Sequence, residues 1–164
     1  MYITNNIENS INRMPKGFIF TYKEFIGLVS NKEAVIKALN RMAEKGKIVK
    51  PAKGKYYKPE NSVFGKLQPS EYELVKDLLK KGTKVTGYLT GYSIYNKLGL
   101  TSQVSSVIQI GKNEVRPSFK RGKISISFIK QKNIITKDNI PLLQIVDSIR
   151  YIKGIGPARA ALFE

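Results

Sequence analysis

Residues 50–59, KPAKGKYYKP, set four lysines and two adjacent tyrosines around one glycine, with a proline near each end. Ammonium groups at that density suit the neutralisation of phosphate or another polyanion. A second group lies just upstream, where Lys37, Asn40 and Arg41 fall within NKEAVIKALNRMAEKG (31–46). Asparagine can pair bidentately with adenine, and arginine or lysine with guanine or a phosphate. Tyr22 and Lys23 form a third group at a predicted helix start, where unpaired backbone amides favour a phosphate. The chain has no Cys and no His, which removes disulfides, zinc ribbons, thiol nucleophiles and imidazole bases. A magnesium-dependent nuclease would need clustered carboxylates, but Glu71, Glu73 and Asp77 lie on one predicted helix without an Asp…Glu-x-Lys arrangement around them. The expectation is therefore a protein that is not an enzyme, with no metal ligand and no cofactor.

Overall charge points the same way. Twenty-nine Lys and Arg against 12 Asp and Glu give a formal +17 over 164 residues, which makes a polyanionic partner the first expectation. Residues 1–60 carry 12 basic and 5 acidic groups and residues 61–164 carry 17 and 7, so the excess is spread through the chain and is not a basic tail. Nucleic acid leads as that partner. No stretch reaches the roughly 20 apolar residues of a membrane span, and no leader pattern opens the chain, so a cytoplasmic protein without a membrane role is expected.

The elements that must position these groups are legible from caps and periodicity. Ile3, Ile7, Ile11 and Met14 repeat at helical spacing, and Pro15 with Gly17 ends that first helix. Capping boxes at Thr21/Glu24, Ser30/Glu33 and Ser70/Glu73 predict three more helix starts. FIF at 18–20 reads as a short β link, the second helix as Tyr22 to Val29, and the third as Asn31 to Lys45, stopped by Gly46. The third helix carries Val35, Ala38, Leu39 and Met42 on one side and turns Lys37, Asn40 and Arg41 outward. Lys47–Lys50 and Lys55–Lys58 then form a hairpin around Pro51–Gly54, in which one of Tyr56 and Tyr57 packs inward and the other faces out.

Helix, short strand, helix, helix, hairpin is the order of a winged helix-turn-helix. The fold class expected is α+β: a winged helix over residues 1–60, a linker over 61–69, and a small α+β domain over 70–164 with a mainly antiparallel sheet. In that second domain Leu142, Ile145, Val146, Ile149 and Ile152 share one face of a last helix and are expected to cover the sheet. In the first, Tyr22, Lys23, Lys37, Asn40, Arg41, Lys50, Lys53 and Lys55 are the candidate contacts to duplex DNA, with Lys53 and Lys55 at the wing tip.

Two other stretches have DNA-binding overtones. NKLGLTSQVSSVI (96–108) has the glycine and Val-Ser pair of a second helix-turn-helix, but is one residue short, and SSVIQI alternates like a strand. IKGIGPARAALFE at the end has the turn of a helix-hairpin-helix, but with few residues left for its second helix a helix C-cap followed by a short docking or frayed tail is the reading favoured. An RNA-binding module using the same basic face and a non-catalytic protein-interaction adaptor are the alternatives, since charge alone does not separate polyanions.

The chain resembles the AbiEi-like antitoxins, transcriptional regulators of type IV toxin-antitoxin systems. In the first domain the resemblance rests on INRMPKGFIFTYKEF and VIKALNRMAEKGKIVKPAKGKYYKP, and in the second on VTGYLTGYSIYNKLGLTSQVSSVIQIG and ISFIKQKN. It implies an autorepressor that binds its own promoter, with Ser30–Lys45 as recognition helix and Lys50–Lys58 as wing. It also implies a nucleotidyltransferase-like toxin as partner, neutralised with help from the C-terminal domain. GIGPARAALFE departs from that family's pattern.

Overall fold

Ile7 and Ile11, one helical turn apart, are buried on α1 (Tyr2–Arg13) in the computed structural model, which describes residues 2–152. The chain is α+β and divides into two units. One holds the chain up to Leu74 together with Arg121–Lys123, and the other holds Val75–Lys120 and Ile124 onward.

In the first unit α1 is followed by β1 (Ile19–Phe20), a 3₁₀ turn (Tyr22–Phe25), α2 (Lys32–Glu44), β2 (Val49–Ala52) and β3 (Lys55–Tyr57). The three strands form an antiparallel sheet in the order β1-β3-β2. The core joins Ile7 and Ile11 to Val35, Leu39 and Met42 of α2, with Phe20 edge-on to Phe25 at 5.7 Å and stacked on Tyr56 at 6.3 Å. Such aromatic pairs add about 1 kcal/mol each beyond the area they bury.

Three local expectations are corrected here. The second helix is a single 3₁₀ turn that stops at Phe25: the Thr21/Glu24 box forms, but Gly27 follows two residues later and the Phe25 carbonyl closes the turn on Leu28 and Val29. The cap of α2 is Asn31 and not Ser30, its Oδ1 accepting from the amides of Glu33 (3.0 Å) and Ala34 (3.1 Å). Asn and Ser cap comparably well, so the inward register of Val35, Leu39 and Met42 decides between them. Tyr56 and Tyr57 are both buried, at 2% and 1% exposure, because both faces of β3 are covered.

β2 and β3 turn at Lys53–Gly54, where Gly54 takes φ +72°, a conformation that a side chain would strain. Val49 pairs with Tyr57 and Ala52 with Lys55, so the register slips by one residue around Lys50 and Pro51. Proline has no N–H for the ladder, which suits it to the bulge. Residues 61–69 include a small hairpin of β4 (Asn61–Ser62) and β5 (Gly65–Lys66), and the division between the units falls after Leu74. Lys66 Nζ donates to the Gly46 carbonyl at 3.1 Å, tying that hairpin to the first unit.

α3 (Glu71–Leu79) crosses the division; Ser70 Oγ accepts the Glu73 amide at 3.3 Å, while the Glu73 carboxylate accepts the Ile19 amide at 2.9 Å. Then come β6 (Lys80–Lys81) paired with β7 (Lys84–Val85), β8 (Gly87–Thr90), α4 (Tyr92–Lys97), β9 (Val107–Lys112), β10 (Phe119–Arg121), β11 (Ile124–Lys130) and α5 (Ile140–Tyr151). The larger sheet runs β10-β11-β9-β8. Its β8/β9 ladder is antiparallel, but β9 and β11 pair in parallel over Val107–Lys112, because β10 carries the chain back to the start of the sheet before β11 begins. SSVIQI accordingly enters β9, and no second recognition helix follows Gly99.

The expected packing of the last helix is corrected as well. Of the five residues expected to cover the sheet, Ile152 at the helix end is buried, beside Ile94 and Tyr95, but Leu142, Ile145, Val146 and Ile149 are 62%, 44%, 37% and 48% exposed, and the buried residues of α5 are Leu143, Asp147 and Ser148. The apolar stripe exists, but the helix turns a carboxylate toward the sheet instead. Tyr88 OH (2.5 Å) and Thr90 Oγ1 (2.9 Å) both bond to Asp147 Oδ2, and buried hydroxyls need such an acceptor. Gly111 makes room for this: a Cβ there would lie 2.3 Å from the Tyr88 ring. The GIGPAR segment lies outside the described residues.

Candidate nucleic-acid interface

The periodicity that buries Val35, Ala38, Leu39 and Met42 leaves Lys37 and Arg41 exposed one turn apart on the opposite side of α2. Lys53 is exposed at the turn of the β2/β3 hairpin. Among the described residues these three cations have no ion-pair partner, in contrast to Lys47, which pairs with Glu8. Glu33 and Glu44 are exposed near the two ends of the same helix.

Asn40, expected at a base, makes two hydrogen bonds within the fold. Its Oδ1 accepts from Tyr56 OH at 2.8 Å and from Lys50 Nζ at 3.0 Å. Both lone pairs are thereby used, so bidentate pairing with adenine, which needs Oδ1 as acceptor and Nδ2 as donor, would require breaking one of these bonds. Lys50 lies 5.7 Å from the Tyr56 ring centroid, its charge drawn back onto the hairpin. Burial pushes the Tyr56 phenol above its ordinary value, which keeps it an O–H donor. Asn40, Lys50 and Tyr56 therefore fasten the hairpin to α2. Asn40→Ala is expected to lower stability by about 1–3 kcal/mol by orphaning a buried hydroxyl, and Tyr56→Phe by about 1 kcal/mol. In urea denaturation the double variant should fall well short of the sum, and Asn40→Ala should weaken binding to all duplexes alike without shifting sequence preference.

At Tyr22 and Lys23, given a phosphate role through their amides, the structure commits one of the two. The Lys23 amide already donates to Thr21 Oγ1 at 3.2 Å, and a four-residue 3₁₀ turn lacks the aligned dipoles of a full helix. Tyr22 is half-buried with Lys32 Nζ 4.8 Å over its ring, so only the Lys23 ammonium remains outward. Lys55 opens β3, half-buried and opposite Ala52. Of the eight candidates, Lys23, Lys37, Arg41, Lys50 and Lys53 present exposed cations, Lys50 while also bonded to Asn40, and Asn40 is committed to the scaffold.

Sequence reasoning missed two polar sites in the second unit. Asp147 accepts from Tyr88 and Thr90, Thr90 lies 3.2 Å from Tyr95 OH, and Gln131 Nε2 donates to Tyr88 OH at 2.9 Å. Burial raises the Asp147 carboxyl above the usual range, against the pull of its two hydroxyl donors and Arg150. The signal was position: Asp147 is one helical turn from the buried Leu143. The other is Lys112, 7% exposed at the end of β9, which continues the Ile108, Ile110 alternation.

Among the described residues, no helix is long and apolar enough to cross a membrane. A family model described as a family of unknown function, DUF6088, matches residues 6–160. No protein of curated function matches the chain by sequence.

Proposed function

The chain belongs to the DUF6088 family, whose description assigns no activity, and from its own residues we propose that it is a cytoplasmic DNA-binding transcriptional regulator. In this reading the first unit is a winged helix-turn-helix with α2 as recognition helix and the β2/β3 hairpin as wing. The observation that carries it is the pairing of exposed Lys37 and Arg41 on α2 with Lys53 at the turn of a hairpin fastened to that helix through Asn40 and Tyr56. Rigid spacing between helix and wing suits a duplex, where groove and backbone lie at fixed separations.

The resemblance to AbiEi-like antitoxins extends the reading to autorepression of the chain's own promoter and to a nucleotidyltransferase-like toxin as partner. The exposed Leu142, Ile145, Val146 and Ile149, at helical spacing on α5, support a protein-interaction role for the second unit. A nucleotidyltransferase gene directly beside this one would support the pairing with a toxin.

The test of DNA binding is fluorescence anisotropy with upstream DNA of the gene, a scrambled duplex and a structured RNA at equal salt. The upstream duplex is expected to bind at least about 10³-fold more tightly than the scrambled one, within the usual range for specific regulators. Equal affinity for both duplexes, or tighter binding of the RNA, defeats the reading.

A further inference from the structure

Lys112 presents an electrostatic problem that the DNA reading does not absorb. The residue is only 7% exposed, and its ammonium makes a 3.4 Å contact to the neutral Thr86 hydroxyl. Among the described residues no carboxylate lies within ion-pair distance of it. A buried charge without a counter-ion is strongly disfavoured, so such a group is either held neutral or matched by an anion from outside. Burial lowers the Lys112 pKa, and Arg116 nearby lowers it further, opposed by Glu114.

Beside it is a cavity of about 360 Å³ lined by Lys84, Val85, Thr86, Lys112, Asn113, Glu114, Ile134 and Ile135. That is large enough for a small organic ligand and larger than a bare inorganic anion needs. The Asn113 amide is already committed, donating to the carbonyls of Gln131 and Asn133 at 2.7 Å each. Glu114, the acid on the rim, sits 3.8 Å from Arg116 with its side chain 78% exposed. What remains for a ligand is two ammonium groups, one hydroxyl and apolar wall.

We propose that this cavity binds a small phosphomonoester, its phosphate on Lys112 and Thr86 with Lys84 at the rim, and its organic part against Val85 and Ile135. A phosphomonoester carries close to two negative charges at neutral pH, which matches two cations better than a carboxylate does. The Thr86 hydroxyl supplies one further donor to an oxygen-rich head. Phosphate would complete the missing ion pair.

The probes are AMP, inorganic phosphate and adenosine, read by calorimetry and by acetic anhydride labelling with mass-spectrometric mapping. AMP should bind, inorganic phosphate more weakly, and adenosine not at all. AMP should slow acetylation of Lys112 at least about fivefold while leaving the exposed Lys53 unchanged. Lys112→Gln should weaken AMP at least about tenfold, the usual loss of a hydrogen bond to a charged group. The protection measurement uses the wild-type chain and stands even where Lys112→Gln folds poorly. The Lys37→Ala/Arg41→Ala/Lys53→Ala variant should keep the AMP response, which separates this site from the DNA reading. Equal protection of Lys53 and Lys112, binding of adenosine as tight as AMP, or an unchanged AMP affinity in folded Lys112→Gln each overturns the proposal.

Discussion

Asp147→Ala is expected to lower the stability of the second unit by about 3 kcal/mol, because it leaves the Tyr88 and Thr90 hydroxyls buried without their acceptor at roughly 1–3 kcal/mol each. The melting temperature should drop by roughly 6–12 °C in a chain of this size. Asp147→Asn is the control, since an amide oxygen can accept both hydroxyls. The two substitutions also differ in pH dependence. The carboxyl's pKa is raised in the folded chain by burial, so the folded state keeps its proton to higher pH than the unfolded state does. Stability from this group is therefore fully present below the ordinary carboxylate pKa of about 3.9 and is lost as pH rises through the raised folded value. Urea midpoints of wild type and Asp147→Asn should accordingly diverge upward from about pH 4, the Asn variant gaining relative to wild type. A constant gap between the two across that range would show that Asp147 titrates alike in both states.

The same helix shows where sequence stops being decisive. The stripe of Leu142, Ile145, Val146 and Ile149 was a sound helical pattern, and it predicted the element but not its rotation. Rotation was set by polar groups on another element: Tyr88 and Thr90 on β8 require an acceptor, and Asp147 is the carboxylate that α5 offers. Periodicity reports which residues share a face and is silent on what that face meets. Where a constraint is local, the reading was good. The Thr21/Glu24 box, the Gly46 stop at φ +73° and the Gly54 turn all depend on neighbours within a few residues. Where two local signals compete within one or two residues, as Ser30 and Asn31 do, packing of the helix decided. The parallel β9/β11 ladder is non-local, set by the return of the chain through β10, and nothing in the alternation of either strand announces it. At the candidate interface the residue types were visible and their commitments were not. Asn40 has the right chemistry for adenine, but its oxygen is used within the fold.

That division between committed and uncommitted groups supports the sharpest test of the DNA reading. Replacing Lys37, Arg41 and Lys53 together by alanine removes three exposed cations that have no ion-pair partner among the described residues. Surface changes of this kind usually alter stability by less than about 0.5 kcal/mol each, so the variant should fold and melt close to wild type. If each cation neutralises one phosphate, the slope of log K against log salt becomes shallower by about 2.7 units. A slope change of that size acting over a fourfold rise in salt shrinks the affinity gap between wild type and variant about fortyfold from 50 to 200 mM. The comparison variant is Lys47→Ala/Lys58→Ala, whose ammonium groups are held by Glu8 and by the Asn12 carbonyl and should leave the slope nearly unchanged. The two variants remove three and two charges, so a generic effect of net charge would move both slopes in near proportion. A reading based on α2 and the hairpin turn requires that only the first variant move. Equal slope changes per charge removed would show that the +17 chain attracts DNA as a diffuse cation, with no recognition face on the first unit.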